Sequence, residues 1–257
     1  MIDIHSHLLP KLDDGPTSVD ESVAMARLAV ADGIEHVFCT PHHHWTRLAS
    51  SELKQRVDKM QRILDQEKIK LQLHVGNEIH LFNSTLDDMC CGEVTSLAAS
   101  SYLLVEPQFY YYGRDIRSYL EYLFAAKFKL IMAHPERIIP FQEQPRLIDW
   151  FFERGGMSQI TAQSLLHPMG HPARDLASTL LKEGKVHFIA SDMHNTRHRP
   201  PGLSRAVEVA KGIVGEDAAR ALVQDNPANI LKESSTQLIQ TDVAVQMAMS
   251  WQPTRSS

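Results

Sequence analysis

The chain has 257 residues, 43% of them hydrophobic and 22% charged, with a net charge of -5 and a mean hydropathy of -0.24, which excludes a disordered chain and leaves material for a sizeable core. No apolar stretch reaches the ~18–20 residues of a membrane span, and the start MIDIHSH lacks the basic and apolar regions of a secretory signal, so the expectation is a cytoplasmic protein without membrane insertion. Three cysteines, Cys39, Cys90 and Cys91, make no disulfide framework, and a negative chain without a long basic run argues against stable nucleic-acid binding.

Short apolar runs alternate with longer amphipathic ones, the pattern of repeated βα units on a parallel sheet. The first predicted strand is Met1 to His5. Thr17 and Ser18, followed by Asp20 and Glu21, signal a helix start, and Val19, Val23, Ala26 and Val30 form its apolar stripe until Gly33. Ile34 to Thr40 is the second strand, and Leu53, Val57, Met60 and Leu64 mark the next helix. Further strands are expected at Leu71 to Gly76, Tyr102 to Val105, Phe128 to Ala133, Ser158 to Thr161 and Val186 to Ala190. Helices are expected near 115–126, 145–154, 172–183 and 204–214. About seven βα units in one domain close most economically into a barrel, with a doubly wound open sheet as the alternative. Residues 1–232 form this domain. The alternation stops near Glu233, and 233–257 reads as a polar tail, disordered over part of its length, with a short helix at Val243 to Met249.

The sequence holds 14 histidines, and their positions carry the chemistry. His5 and His7 end the first strand as H-x-H, a spacing that puts both imidazoles on one strand face. His42 follows the second strand in CTPHHH, Glu78 the third in VGNE, Glu106 the fourth in LLVE and His134 the fifth in IMAH. Asp192 and His194 follow the last as D-x-H, and Asp14 in LDDGP can swing over the same rim. Barrel enzymes assemble their sites at the C-terminal strand ends, where all nine residues fall.

Five imidazoles and four carboxylates exceed the needs of one or two ions. Three ions sharing a bridging carboxylate would each gain three or four ligands and keep open positions, as catalytic ions do. Mixed nitrogen and oxygen ligation without thiolate suits manganese above all, with iron, Zn²⁺ or Mg²⁺ as alternatives. Four carboxylates against three divalent ions leave a surplus of about two positive charges, which favours an anionic substrate such as a phosphate. Arg137 in HPER and Arg199 in HNTRHRPP offer bidentate donors to phosphate oxygens, with Arg197 competing for the second role. His43 and His44 read as neighbours of a ligand, while His36, His74, His80, His167, His171, His187 and His198 read as packing or surface residues. Phe109, Tyr110, Tyr111 and Tyr112 either line an aromatic pocket or pack a loop. A cysteine-dependent phosphatase requires an arginine six residues beyond its nucleophile, but those positions are Trp45, Ser96 and Leu97.

MIDIHSHLLP, DDGP, TPHHH, GNEI, LLVE, AHPER, SQITAQSLL and ASDMHN in this order resemble the PHP superfamily (polymerase and histidinol phosphatase). Within it, the likeness is to the bacterial metal-dependent protein tyrosine phosphatases of capsule and exopolysaccharide systems, from Met1 to about Leu231. The resemblance implies a distorted (β/α)₇ TIM-like barrel and a trinuclear manganese centre in a cytoplasmic hydrolase. Its substrate would be phosphotyrosine on a membrane-linked bacterial tyrosine autokinase that controls polysaccharide export. It also implies His5, His7, Glu78 and Asp192 as ligands of one ion, Glu78 as a bridge with Glu106 and His134 on a second, and Asp14, His42 and His194 on a third. Arg137 and Arg199 match the phosphate-holding arginines. Water activated by the ions would attack phosphorus, and the phenolate, with its pKa near 10, leaves readily. The alternatives are a PHP phosphoesterase acting on histidinol phosphate, nucleotides or nucleic-acid ends, a rival H-x-H metallohydrolase, and a barrel that only binds a partner.

Overall fold

In a computed structural model, described for residues 1–81, 88–89, 92–110 and 113–236, the apolar runs form parallel strands in two sheets. β1 (Ile2–Ser6), β2 (His36–Cys39) and β3 (Gln72–Val75) make the first sheet. β4 (Glu78–His80), β5 (Tyr102–Glu106), β6 (Lys129–Ala133), β7 (Met157–Thr161) and β8 (Phe188–Ala190) make the second. Within each sheet the strands lie in chain order, whereas a doubly wound sheet reverses at a switch point, so the open-sheet alternative fails. The sheets adjoin at two seams through single parallel bridges, Ser6 with Met193 and His42 with Glu78. The strand sequence thus returns to β1 as in a barrel, distorted because isolated bridges replace ladders at the seams.

Among the described residues eight strands stand where seven were expected, because the third breaks between Val75 and Glu78. A Cβ on Gly76 would lie 2.7 Å from Leu97 Cδ2, so any larger residue at the bend would have to push that side chain aside. Asn77 holds the bend: its Nδ2 donates to Pro41 O (2.9 Å) and its Oδ1 accepts from Thr95 N (2.9 Å). The break shifts Glu78 toward the end of β2, where its N–H meets Thr40 O and Pro41 O.

The helices are α1 (Val19–Ala31), α2 (His43–Thr46), α3 (Ser50–Gln66), α4 (Arg114–Ala125), α5 (Ile139–Glu143), α6 (Asp149–Glu153), α7 (Ala162–Leu166), α8 (Pro172–Lys182), α9 (Ser204–Val214), α10 (Glu216–Ala221) and α11 (Asp225–Thr236). The expected start of α1 is present, with Ser18 Oγ accepting from Glu21 N and Glu21 Oε2 accepting from Thr17 N. Of the expected stripe Ala26 is buried and Val23 and Val30 pack half-buried against the core, while Val19 is exposed and Ser22, Met25 and Ala29 complete the buried face. Ser22 enters the core face because its hydroxyl is satisfied on Ser18 O. On α3 the expected residues Leu53, Val57, Met60 and Leu64 are buried. The helix expected at 145–154 is a 3₁₀ turn at Pro145–Ile148 followed by α6.

Alternate strand residues divide the core. Val37, Leu103, Leu130 and Met132 pack against helix residues such as Met25, Leu53 and Leu120. Ile4, Phe38, Leu104, Ile131 and Phe188 fill the space between the strands, which Ile230 of α11 closes from below. Glu233, expected to begin the tail, lies inside α11 and is tied down. Ser101 donates to its Oε1 from both N and Oγ, and Lys129 Nζ donates to its Oε2. The helix thus crosses the expected boundary at 232. The expected helix at Val243 to Met249, Cys90, Cys91, Tyr111 and Tyr112 lie outside the described residues. Among the described residues no helix is long and apolar enough to cross a membrane.

Candidate metal centre

Between Asp3 and Ser6 the pairing of β1 with β2 slips by one residue. An unbroken strand would send Ile4 and His5 to opposite faces, but this bulge turns both inward, Ile4 into the interior core and His5 toward the carboxylates above it. The one-face reading of H-x-H therefore holds with a bulge beneath it. Two other strand ends bend sharply: His134 (φ 31°) and Asp192 (φ 54°) adopt left-handed backbone, a conformation costing about 1–3 kcal/mol in non-glycine residues and concentrated at functional sites.

Around these ends nine donors converge, seven of them buried, His42 half-buried and Asp14 exposed. Ligand atoms within 4.8 Å of one another form four groups: His7, Asp14, His42 and His194; His5, His134 and Asp192; His5, His7 and Glu78; His42, Glu78 and Glu106. The groups draw on the nine residues singled out in the sequence and on no other described residue. Their membership differs in detail from the ligand sets implied by the resemblance, since His7 also stands beside Asp14, His42 and His194.

Hydrogen bonds on the far side of each ring set its tautomer. His5 Nδ1 donates to Gln159 Oε1 (2.9 Å), His7 Nδ1 to Asp13 Oδ2 (2.7 Å) and His194 Nδ1 to Asp192 O (2.9 Å). The Nε2 lone pairs of His5 and His7 then face each other at 3.3 Å, each 3.3 Å from Glu78 Oε2 and 3.4 and 3.6 Å from Asp192 Oδ1. Two protons in this gap would repel by about 5 kcal/mol at an effective dielectric of ~20. A divalent ion placed here would meet these lone pairs without that repulsion.

Further close pairs have the distance but not the geometry of hydrogen bonds. His42 Nδ1 lies 3.0 Å from Glu78 Oε2 and His194 Nε2 3.1 Å from Asp14 Oδ1, yet both nitrogens, like Asp192 Oδ1, are buried without a hydrogen-bond partner. Atoms so placed are completed by something other than protein. The donor set is nitrogen and carboxylate oxygen without sulfur, which fits divalent ions of the manganese, iron or zinc kind.

The electrostatics agree. Burial draws the His5 imidazole down, but Glu78 and Asp192 outweigh it and raise its pKa to about 9. His7 is raised against burial by Asp13 and Glu78. Glu78 is held well below the usual carboxylate range: burial opposes ionisation, but His5, His42 and His134 overcome it. Asp192 is lowered in the same way by His5 and Arg199. The centre has the potential of a cation site.

Arg137 Nη1 (2.6 Å) and Arg199 Nη2 (2.5 Å) both donate to Asp192 Oδ2, and Arg199 Nη1 lies 3.7 Å from Asp14 Oδ2. Asn195 Oδ1 accepts from Arg197 N, His198 N and Arg199 N, folding the loop so that Arg199 faces inward and Arg197 stays exposed. Both arginines line a cavity of about 300 Å³ with Asp14, His42, Glu78, Glu106 and His134.

Sequence reasoning missed several residues. Asp13, beside the expected Asp14, orients His7 and also accepts from His42 N; Gly15 permits that turn, since a Cβ there would sit 2.4 Å from His7 O. His80, read as packing or surface, has its Nδ1 2.8 Å from Glu106 Oε2 and lines the cavity, as His44 and Trp45 do. The period-two rule on β4 carried the signal, because His80 lies two residues beyond Glu78. His43 is buried away from the centre, with Nδ1 accepting from His80 N and Nε2 3.5 Å from Asp88. Phe109 lines the cavity, stacked on His134 (5.5 Å) and beneath the Arg137 guanidinium (5.2 Å), whereas Tyr110 is exposed. His36 and His74 stack on each other in the packing role expected. Cys39 is buried, and burial pushes its thiol far above the range of a nucleophilic thiolate.

Parallel strands in chain order, a nine-donor cluster at their C-terminal ends and two guanidinium groups beside it define the class, a barrel with a metal-competent centre open to an anion. The chain belongs to the capsular polysaccharide synthesis family CpsB/CapC, whose model matches residues 1–232. Tyrosine-protein phosphatase YwqE of Bacillus subtilis (strain 168) is 31% identical over 238 residues, covering 92% of this chain and 93% of YwqE. Tyrosine-protein phosphatase CpsB of Streptococcus agalactiae is 27% identical over 241 residues, 90% of this chain and 98% of CpsB. A crystal structure from work on YwqE from Bacillus subtilis and CpsB from Streptococcus pneumoniae, described as unique metal-dependent tyrosine phosphatases, matches with a TM-score of 0.85 and 30% identity over 91% of this chain and 95% of that one. A β-aspartyl dipeptidase from Fervidobacterium islandicum AW-1, at 13% identity and a TM-score of 0.56 over 90% of this chain and 73% of its own, shares the fold alone.

Proposed function

We propose that this protein is a metal-dependent protein tyrosine phosphatase with His5, His7, Asp14, His42, Glu78, Glu106, His134, Asp192 and His194 as ligands of a manganese centre. The observation that carries the reading is the meeting of lone pairs from His5, His7, Glu78 and Asp192, the two carboxylates of which line one open cavity with two arginines. Names and activities of relatives covering nine-tenths of the chain point the same way.

When bound, such ions supply positive charge for a phosphoryl group and an activated water. The chain's own residues do the rest. Gln159 and Asp13 keep the protons of His5 and His7 on Nδ1 and their lone pairs on the centre. Arg137 and Arg199 offer N–H donors to the equatorial phosphoryl oxygens, where charge grows in the transition state. Phe109, braced between His134 and Arg137, gives the tyrosine ring an apolar wall. A phenolate leaving group needs little proton assistance.

The substrate in this reading is a phosphotyrosine protein of the polysaccharide-export machinery, a membrane-linked tyrosine autokinase, met in the cytoplasm. Hydrolysis of a phosphotyrosine peptide, a phosphoserine peptide, histidinol phosphate, nucleotides and single-stranded DNA at fixed Mn²⁺, with and without chelator, tests it. Preference for phosphotyrosine, lost on chelation, is the expected result. Preference for histidinol phosphate or a nucleotide would replace the substrate class, and indifference to chelation would overturn the metal reading.

A further inference from the structure

A second cavity of about 390 Å³ opens beside the metal centre, sharing Phe109, Arg137 and Arg199 with the first. Its remaining wall comes from β7 and α7, through Thr161, Gln163 and Ser164, from Gln142 of α5, and from His167, His171 and Ala173 at the start of α8. Among the described residues no carboxylate lines it, while two guanidinium groups do. The imidazoles of His167 and His171 stack at 4.0 Å, and burial, His171 and Arg137 lower the pKa of His167. The positive charge here therefore rests first on the arginines.

The floor is built and incompletely satisfied. Glu136, fully buried, accepts from Thr161 N (2.9 Å) and Ser164 Oγ (2.7 Å), which fixes the turn from β7 into α7. Thr161, only 4% exposed, keeps its Oγ1 without a partner at this floor. α8 starts at Pro172 without a side-chain cap, and Ala173 in its first turn lines the cavity, so the positive end of the helix dipole faces the same space. Guanidinium groups, a helix start, side-chain amides and a buried hydroxyl, with the nearby Glu136 carboxylate turned to Thr161 N and Ser164 Oγ and no carboxylate among the described lining residues, are complementary to a carboxylate.

We propose that this cavity is a subsite for an acidic side chain flanking the phosphotyrosine of a protein substrate. The inference rests on the phosphatase reading and adds a source of sequence selectivity to it. The phosphate enters the first cavity, the peptide crosses the shared wall at Phe109 and the arginines, and a neighbouring Asp or Glu enters the second. A free aryl phosphate fills only the first.

The test compares kcat/KM for phosphotyrosine peptides with Glu, Gln or Lys at the flanking positions, with p-nitrophenyl phosphate as a reference, in the wild-type protein, in Gln163→Glu and in Gln163→Ala with His171→Ala. Both side chains are exposed and neither lines the first cavity, where the reference compound binds, so the variants fold and keep their activity on it. The expected wild-type preference for Glu over Lys is about tenfold, equivalent to about 1.4 kcal/mol. It shrinks to about twofold or less in the double variant and reverses toward Lys in Gln163→Glu. Equal rates for the three peptides, or a preference untouched by the variants, would overturn the subsite while leaving the phosphatase intact. Hydrolysis of the reference compound without that of any phosphotyrosine peptide would overturn the phosphatase reading, and the subsite with it.

Discussion

Two buried aspartates near one seam, Asp3 and Asp192, differ in what completes them. Asp3 accepts from Ser191 N (3.0 Å), Ser191 Oγ (2.5 Å) and His5 N (3.3 Å), so both oxygens are satisfied by the chain itself. Burial pushes its pKa up to about 6 against those bonds. Asp192 lies one residue beyond Ser191, equally buried, but its Oδ1 has no hydrogen-bond partner and its Oδ2 carries two guanidinium groups. Asp3 joins β1 to the segment after β8, and Asp192, in the proposed function, helps hold an ion. A closed set of protein hydrogen bonds marks a structural carboxylate, and an open one facing imidazole lone pairs marks a ligand.

The contrast can be broken or sharpened at several points. The largest effect falls on the centre: His5→Ala lowers kcat/KM for aryl phosphates by about 10³ or more while the protein stays folded, because a lone pair shared by two donor groups is lost. Near wild-type rates in steady-state assays would remove His5 from the centre. Next come Arg137→Lys and Arg199→Lys, each expected to cost about 10–100-fold in kcat/KM, since an ammonium keeps the charge but loses the bidentate fork. An unchanged rate for either would place that arginine outside phosphate binding.

Asp13→Ala is expected to weaken Mn²⁺ binding by about 10–100-fold, read by metal titration, because His7 loses the acceptor that fixes its tautomer. On the structural side, Asp3→Ala lowers unfolding free energy by about 2–4 kcal/mol, seen in urea titration, by orphaning Ser191 N and His5 N. Loss of metal affinity in the first variant and of stability in the second would uphold the contrast; the reverse pattern would dissolve it.

The smallest effect is in the pH dependence of stability at the other end of the barrel. Burial and His36 lower the His74 pKa to about 4, so the folded state binds fewer protons than the unfolded state, whose imidazole titrates near 6.5. The stability this neutral ring contributes is fully present above pH 6.5 and is lost as pH falls toward 4. His74→Phe should flatten that slope by about 1–2 kcal/mol across the window, an amount reduced by partial exposure. Parallel wild-type and variant curves would refute it.

What the sequence could disclose depended on periodicity. Eight of the nine donors were legible because they stand at or just beyond the end of an apolar run, where barrel sites assemble, and Asp14 because its loop follows the first of those runs. Other features depend on contacts between distant segments. The slip that turns His5 inward exists only in the pairing of β1 with β2. The break before Glu78 requires Leu97 against Gly76. Asp13 and Asp14 are chemically identical in LDDGP, and only the loop's closure over His7 decides which orients and which faces the centre. On α1 the place of Ser22 in the buried face was missed because the helix itself satisfies its hydroxyl, and the tail was drawn from Glu233 because the partners of that residue, Ser101 and Lys129, lie far away in the chain.

Metal content measured together with activity tests the central claim most directly. Protein stripped with chelator and then titrated with Mn²⁺, followed by elemental analysis and by aryl phosphate hydrolysis, should bind about three ions per chain and regain activity in step with their binding. Full activity in the metal-free protein, or failure to retain any divalent ion, would contradict it.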